Sequence, residues 1–319
     1  MYLKKNSICL VTGGSGLIGS HLIEELKRYK VKIISVNSKM YDLTKFEEAK
    51  KMFKKYKPHI VYNLAAKVGG ILDNKKFPAD YYFENNMIIS NIFELCKEHK
   101  VKKLINIGAG CGYPLTLKEP LQEKDMFEGL PQGESLPYSM TKKMIMVASQ
   151  AYKKQYNMNS ITIIPSNIYG EYDNFNLNAS HVIPALVRKF FEAKKFNKKS
   201  IEIWGDGSAK RDFIHASDVV RSLVKLTNTY NNTDAVNICC GKQFSIKYVV
   251  NSLIKISNYK GKIIWNTKMP SGQKSRKFST VRLNKILPNE ITKFKDIKKG
   301  LKITYDWVEK NYGKKEIRL

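Results

Sequence analysis

The sequence predicts an α/β protein: a doubly wound parallel sheet followed by a smaller C-terminal domain. Three observations predict it. Short apolar runs rich in β-branched residues alternate with helix-length segments through the first half of the chain. A glycine-rich turn, VTGGSGLIGS, follows the first of those runs. After Pro165 the alternation degrades into loops and short pieces, and 319 residues suffice for a nucleotide-binding domain with a companion.

The first strand is expected over Ile8 to Val11, with Gly13, Gly16 and Gly19 behind it at the mouth of a helix. Missing β-carbons let the backbone turn tightly and approach a pyrophosphate, while unpaired helix N-terminal amides attract its charge, which makes the sheet Rossmann-type. The second strand, Val31 to Val36, ends in Asn37, Ser38 and Lys39. No carboxylate stands there to hold a ribose 2′-hydroxyl, so NADP(H) is expected over NAD(H), with Ser38 and Lys39 toward the 2′-phosphate.

Thr44 and Glu47 read as a capping box before the helix FEEAKKMFKKY, which Pro58 closes. Further strands are expected at Ile60 to Leu64, Leu104 to Ile107 and Ile161 to Ile164. Gly and Pro punctuate 112 to 137, a loop long enough to be functional. It leads to a helix whose start, YSMTK, places Tyr138 and Lys142 on one face. An ammonium beside it, together with a cationic nicotinamide, is expected to make that phenol easier to ionise.

The boundaries that follow are 1–165 for the cofactor domain and 166–319 for a mainly substrate-binding one. Two later pieces, DFIHASDVVRSLVKL and AVNICCG, look regular enough to return to the sheet domain, about 212–240. A helix is expected to run through about Lys194.

Totals exclude several functions. Hydrophobic residues make up 43% of the chain and aromatics 11%, yet no apolar run approaches the roughly 20 residues that span a bilayer. The chain enters a strand almost at once, so a cytoplasmic protein with no membrane association is expected. Cys9, Cys96, Cys111, Cys239 and Cys240 form no C-x-x-C pair, which argues for reduced thiols, no disulfide framework and no metal. Cys239 and Cys240 read as packing residues. The formal charge is +28, but lysines are spread over nearly every expected helix, and AKKFNKKS at 193 to 200 reads as a solvated loop. No nucleic-acid partner is expected; the field would favour an anionic small substrate.

With the glycine turn in front, NLAA after the third strand and IPSNIYG after it, the YSMTK motif resembles that of the extended short-chain dehydrogenase/reductases. More narrowly the chain resembles their GDP-L-fucose synthase branch over almost its whole length. VTGGSGLIG, DLT, NLAAKVGG, IPSNIYGEYDNFN, SHVIPALVRKF and WGDGSAKRDF carry the likeness, and AAKVGG with SHVIPAL is specific to that branch.

The resemblance implies NADPH, a GDP-linked 4-keto sugar, a role in GDP-sugar supply for surface or capsule polysaccharide, and a homodimer through helices at about 79 to 99 and 138 to 156. It implies Tyr138 as proton donor to the C4 oxygen, with Lys142 holding the tyrosine and the nicotinamide ribose. Cys111 and His181 are implied as base and acid for epimerisation at C3 and C5, the thiol being helped to ionise by the adjacent imidazole. Ser15, Leu17 and Ile18 would join the glycines around the pyrophosphate. Asp42 and Leu43 would lie near the adenine. Leu64, Ala65, Ala66, Ile107, Gly108, Ala109, Pro165, Asn167, Ile168 and His181 would line the cofactor. Asn167, Lys189, Trp204 and Arg211 would surround the GDP-sugar, with Arg276 and Lys277 as further diphosphate contacts.

Two departures stand out. Ala109, in INIGAGCGYP, occupies the place of a serine that would hydrogen-bond the keto oxygen, and Ser271 replaces an aspartate. Loss of one such donor costs on the order of 3 kcal/mol, which slows a reductase without abolishing it. Ala109 and Gly110 are also expected to leave room for a bulkier sugar such as a heptose. Three alternatives stay open: a C4 reductase whose epimerisation is done elsewhere, a C4 epimerase, and a non-catalytic NADP-binding protein. A 4,6-dehydratase would need carboxylates where this chain reads AGCG.

Overall fold

The structure, a computed structural model, describes residues 2–131, 133–269, 273–315 and 317–319. Ser271, one of the departures just noted, lies outside the described residues. In chain order the elements are β1 (Ile8–Thr12), α1 (Leu17–Leu26), β2 (Lys32–Val36), α2 (Phe46–Tyr56), β3 (Ile60–Asn63), α3 (Ile71–Lys76), α4 (Pro78–Glu98), β4 (Lys103–Ile107), α5 (Leu136–Tyr156) and β5 (Ser160–Pro165). There follow β6 (Asn167–Tyr169), α6 (Val182–Lys195), β7 (Ser200–Trp204), β8 (Lys210–Arg211), β9 (Phe213–His215), α7 (Ala216–Thr229) and β10 (Val236–Ile238). The chain closes with β11 (Phe244–Ser245), α8 (Ile246–Ser257), β12 (Lys262–Asn266), α9 (Val281–Ile286) and α10 (Ile297–Asn311).

Six strands form one parallel sheet in the order β10-β5-β4-β3-β1-β2. Side chains alternate between its faces, as the pleat requires. Cys9, Val11, Ile60, Tyr62 and Ile105 face α1 and α7, while Leu10, Val61 and Leu104 face α2, α4 and α5. The return of 216–238 to this sheet follows from β10 pairing with β5, and Leu283 of α9 joins the same cluster. The direction of winding reverses between β1 and β3, so the C-terminal ends of those strands flank a crevice. A separate apolar cluster holds α6, α8 and α10 over the parallel pair β7 and β12.

The capping box at Thr44 does not form. Asp42 Oδ1 takes the Thr44 amide at 3.1 Å and its hydroxyl at 2.7 Å, and α2 starts two residues later with Lys45 as its N-cap. A local turn closed by an aspartate has outcompeted the cap for the same hydroxyl. Pro58 does end the helix, one residue after a left-handed Lys57.

Asp212, just before β9, is fastened to the chain at the ends of β5 and β10. Its buried carboxylate accepts from Ser166 Oγ (3.0 Å), Cys240 N (3.0 Å) and Gly241 N (2.8 Å). Burial pushes it up to about 6 despite those donors. Removal of the acceptor in Asp212→Ala leaves three donors unmatched and is expected to cost about 3 kcal/mol. The folded pKa lies above the unfolded one, so the carboxyl's stabilising share is complete below the ordinary aspartate range and is lost as pH rises through about 6. Urea unfolding of both proteins should therefore give a larger difference at pH 5 than at pH 8; a difference that grows with pH contradicts this assignment.

Candidate active site

The glycine turn is shaped for close approach. Gly13 adopts φ +66°, and a β-carbon there would sit 3.0 Å from Ala65 N; one at Gly19 would lie 2.6 Å from Gly14 Cα. Gly16 caps α1 without any side-chain hydrogen bond, which leaves the first amides of the helix for an anion. Ser15 is exposed at the tip, and Leu17 and Ile18 begin the helix. The sequence reading missed Thr12. Its hydroxyl accepts from Leu64 N and Ala65 N, both at 3.1 Å, and so fastens the end of β3 to that of β1 beneath the turn.

Behind the turn, His21 and His215 both reach Glu171 Oε2, at 3.4 and 3.1 Å. Burial alone would push the Glu171 carboxyl up, but the two imidazoles overcome it and hold the carboxyl well below its usual range. This group ties the first turns of α1 to β9. No periodicity signals it, because its members lie far apart in sequence.

At the end of β2, Asn37 folds back to accept the Lys39 amide at 3.0 Å, and Ser38 and Lys39 are exposed. Asp42, the nearest acid in sequence, is engaged by Thr44 and by Lys45 at 3.6 Å. Leu43 turns into the apolar cluster against α4, its carbonyl accepting from Asn91 at 2.9 Å. These features fit a dinucleotide with a 2′-phosphate: uncapped amides for the pyrophosphate, and a cation without a free carboxylate at the ribose.

The expected cofactor residues Leu64 to Ala66, Ile107 to Ala109 and Pro165 cluster at the C-terminal ends of β3, β4 and β5, beside the crevice. Asn167 is committed to the fold. Its amide donates to Asp212 O at 3.0 Å, and together with Ile168 it forms the β6 ribbon against β9.

Pro137 opens α5 within its first turn. Lys142 Nζ donates to Ile107 O at 3.2 Å and lies 5.7 Å from the centre of the Tyr138 ring. The expectation of an easily ionised phenol is corrected here. Burial, then Cys111 and Tyr81, pushes Tyr138 well above the ordinary phenol value, while burial brings Lys142 down to about 8. Dehydration outweighs the nearby ammonium, so the phenol keeps its proton at neutral pH.

Cys111 lies in a 3-10 turn, Gly110–Gly112, that follows β4. Burial raises its thiol; Ser139, Arg276 and Lys142 pull the other way. His181 is the N-cap residue of α6 and lies open to solvent. The room expected at Gly110 is taken, because a β-carbon there would lie 2.6 Å from the Phe278 ring.

Arg276 donates to Tyr113 O at 3.0 Å, yet its Nε is buried without a partner. Burial and the nearby Arg276 both lower Arg211. Two partly desolvated guanidiniums that repel each other make a site for an anion. Lys277 points outward. Lys189 donates to Glu202 O at 2.8 Å and sits 5.9 Å from the centre of Trp204, an aromatic face 39% exposed at the end of β7. Cys239 and Cys240 are packing residues, their thiols donating to Ser279 O and Phe213 O. Among the described residues there is no cluster able to hold a metal, and no helix is long and apolar enough to cross a membrane.

Comparison with known proteins agrees with this geometry. A model of the NAD dependent epimerase/dehydratase family matches residues 9–239. A GDP-L-fucose synthase from Sinorhizobium fredii is 36% identical over 283 residues, 89% of this chain and 90% of that protein. Among solved structures, a GDP-L-fucose synthetase from Naegleria fowleri bound to NADP superposes with a TM-score of 0.93 at 26% identity, over 100% of this chain and 98% of the other. A GDP-6-OMe-4-keto-L-xylo-heptose reductase from C. jejuni gives 0.87 at 28% identity, over 96% and 98%.

Proposed function

The chain belongs to the NAD dependent epimerase/dehydratase family and to its GDP-L-fucose synthase branch, and from that premise we propose that it is an NADPH-dependent 4-reductase of a GDP-linked 4-keto sugar, hexose or heptose, that also epimerises C3 and C5. The observation that carries the reading is a neutral, half-buried Tyr138 with Lys142 against it, at the edge of a crevice built for a dinucleotide. When bound, NADPH supplies the hydride. The residues of the chain supply the rest.

Reduction of a ketone needs a proton for the C4 oxygen, and a phenol held well above its ordinary pKa is protonated at neutral pH. Lys142, charged below about pH 8, stabilises the phenolate left behind. Protons at C3 and C5 are acidified by the C4 ketone they flank, so one base and one acid serve both; Cys111 and His181 are proposed for those roles. Arg211 and Arg276, the latter with its unpartnered Nε, would take the diphosphate, and Trp204 with Lys189 would pack against nucleotide or sugar. Ala109 removes one hydroxyl from the oxyanion's surroundings, so C4 protonation falls to Tyr138 alone.

The exposed apolar residues Tyr82 and Phe83 on α4 and Met144, Val147 and Tyr156 on α5 suit the proposed homodimer. A cytoplasmic enzyme supplying a GDP-sugar for surface polysaccharide completes the reading. The test is incubation with a panel of GDP-4-keto sugars and NADPH or NADH, followed by absorbance and product NMR. At least one sugar should oxidise NADPH at least ten times faster than NADH, and no turnover with any of them would reject the function.

A further inference from the structure

Tyr138 does not set its own direction. Its ring can turn about two side-chain bonds, and the hydroxyl reaches a C4 oxygen only in a narrow range of them. Lys142 lies against the ring on one side. On another stands Tyr81, from the first turn of α4, which meets Tyr138 edge to face with centroids 6.0 Å apart and planes at 89°.

Tyr81 is itself held from every direction. It is 1% exposed. Its hydroxyl donates a short hydrogen bond to Asp73 Oδ2 of α3, and its carbonyl accepts from Asn85 at 2.7 Å. Lys67 Nζ lies 5.8 Å from its ring centre and is anchored by Glu84 at 2.6 Å. The backbone makes space for the pair at Gly69, where a β-carbon would collide with the Tyr81 hydroxyl and lie 2.7 Å from Asp73 Oδ2. The next residue, Gly70, runs within 3.6 Å of Ser180 O, measured from where its own β-carbon would be. The segment carrying Asp73 therefore borders the segment that presents His181.

We propose that Asp73 and Tyr81 form a positioning clamp for Tyr138: the carboxylate fixes the Tyr81 phenol, and the fixed Tyr81 ring holds the Tyr138 ring in the orientation that presents its hydroxyl to the ketone. This rests on the reading of Tyr138 as proton donor to C4. Tyr81 and Asp73 touch no reacting atom. An unanchored ring at position 81 would give the same edge contact but could slide, and a shift of about 1 Å at the proton donor is enough to cost about a hundredfold in rate.

The test uses the full chain with ring-¹³C-labelled tyrosine, the Tyr138 signals being identified by their loss in Tyr138→Phe. In the wild type the two edges of the Tyr138 ring should give separate signals, and in Tyr81→Leu these should merge as the ring flips freely. In parallel, kcat for NADPH oxidation should fall about a hundredfold in Tyr81→Leu and about tenfold in Tyr81→Phe and Asp73→Ala, with KM within threefold. Asp73→Asn, which can still accept from the phenol, should stay near wild type. Solvent deuterium exchange at C3 and C5 does not use Tyr138 and should persist in all four variants. Unchanged Tyr138 signals in Tyr81→Leu overturn the clamp, and so does a joint loss of exchange and kcat, which would mean general collapse of the site. If the wild type reduces no GDP-4-keto sugar, the functional reading fails and the ring signals alone decide the clamp.

Discussion

Tyr138→Phe should lose between about a hundredfold and ten-thousandfold of the C4 reduction rate while binding NADPH as tightly as the wild type. The substitution removes one oxygen and leaves the ring, its contact with Tyr81 and the Lys142 ammonium above it. A loss at the upper end of that range is expected, because Ala109 offers no second hydroxyl to the forming oxyanion. Stopped-flow oxidation of NADPH with a saturating GDP-4-keto sugar measures it, and nucleotide fluorescence titration checks binding. The pH dependence follows from Lys142. Its ammonium is brought down to about 8 by burial, so the rate should be level below that value and decline above it as the lysine loses its proton. A residual rate within tenfold of wild type would place the proton donor elsewhere.

Most of the sheet was legible because parallel strands buried on both faces read as continuous apolar runs, and each of the five expected runs lies within a residue of a strand. The glycine turn and the Tyr138 and Lys142 pair were legible for a related reason: their geometry is local, one turn of backbone or one turn of helix. What escaped was nonlocal or depended on burial. Thr12, Asp212 and the His21, Glu171 and His215 group act between segments up to about 200 residues apart, and no spacing rule reports such contacts. The ionisation of Tyr138 was read from its charged neighbour, whereas the dominant influence is the protein around it. Gly110 was read as a gap because a missing side chain says nothing about which distant ring, here Phe278, fills the space.

Cys111→Ala is expected to abolish deuterium exchange at C3 and C5, a loss of at least about a hundredfold, while sparing the reduction of a ketone that needs no epimerisation. The two activities separate because they use different atoms: Tyr138 serves the oxygen on C4, and the thiol serves the carbons beside it. Burial holds that thiol above its ordinary value against the pull of Ser139, Arg276 and Lys142. The reactive thiolate is then a minor species at neutral pH, and its fraction rises about tenfold per pH unit until the raised pKa is reached. Exchange followed by NMR in deuterated buffer from pH 6 to pH 8 should climb with that slope, whereas reduction should stay level over the same range. Arg276 links the two steps, since a diphosphate paired with its guanidinium would withdraw part of its help from the thiol. An Arg276→Lys variant should therefore move the exchange profile as well as substrate affinity. If exchange is independent of pH, or survives in Cys111→Ala, the base is another group and the chain acts as a C4 reductase whose epimerisation is performed by a different protein.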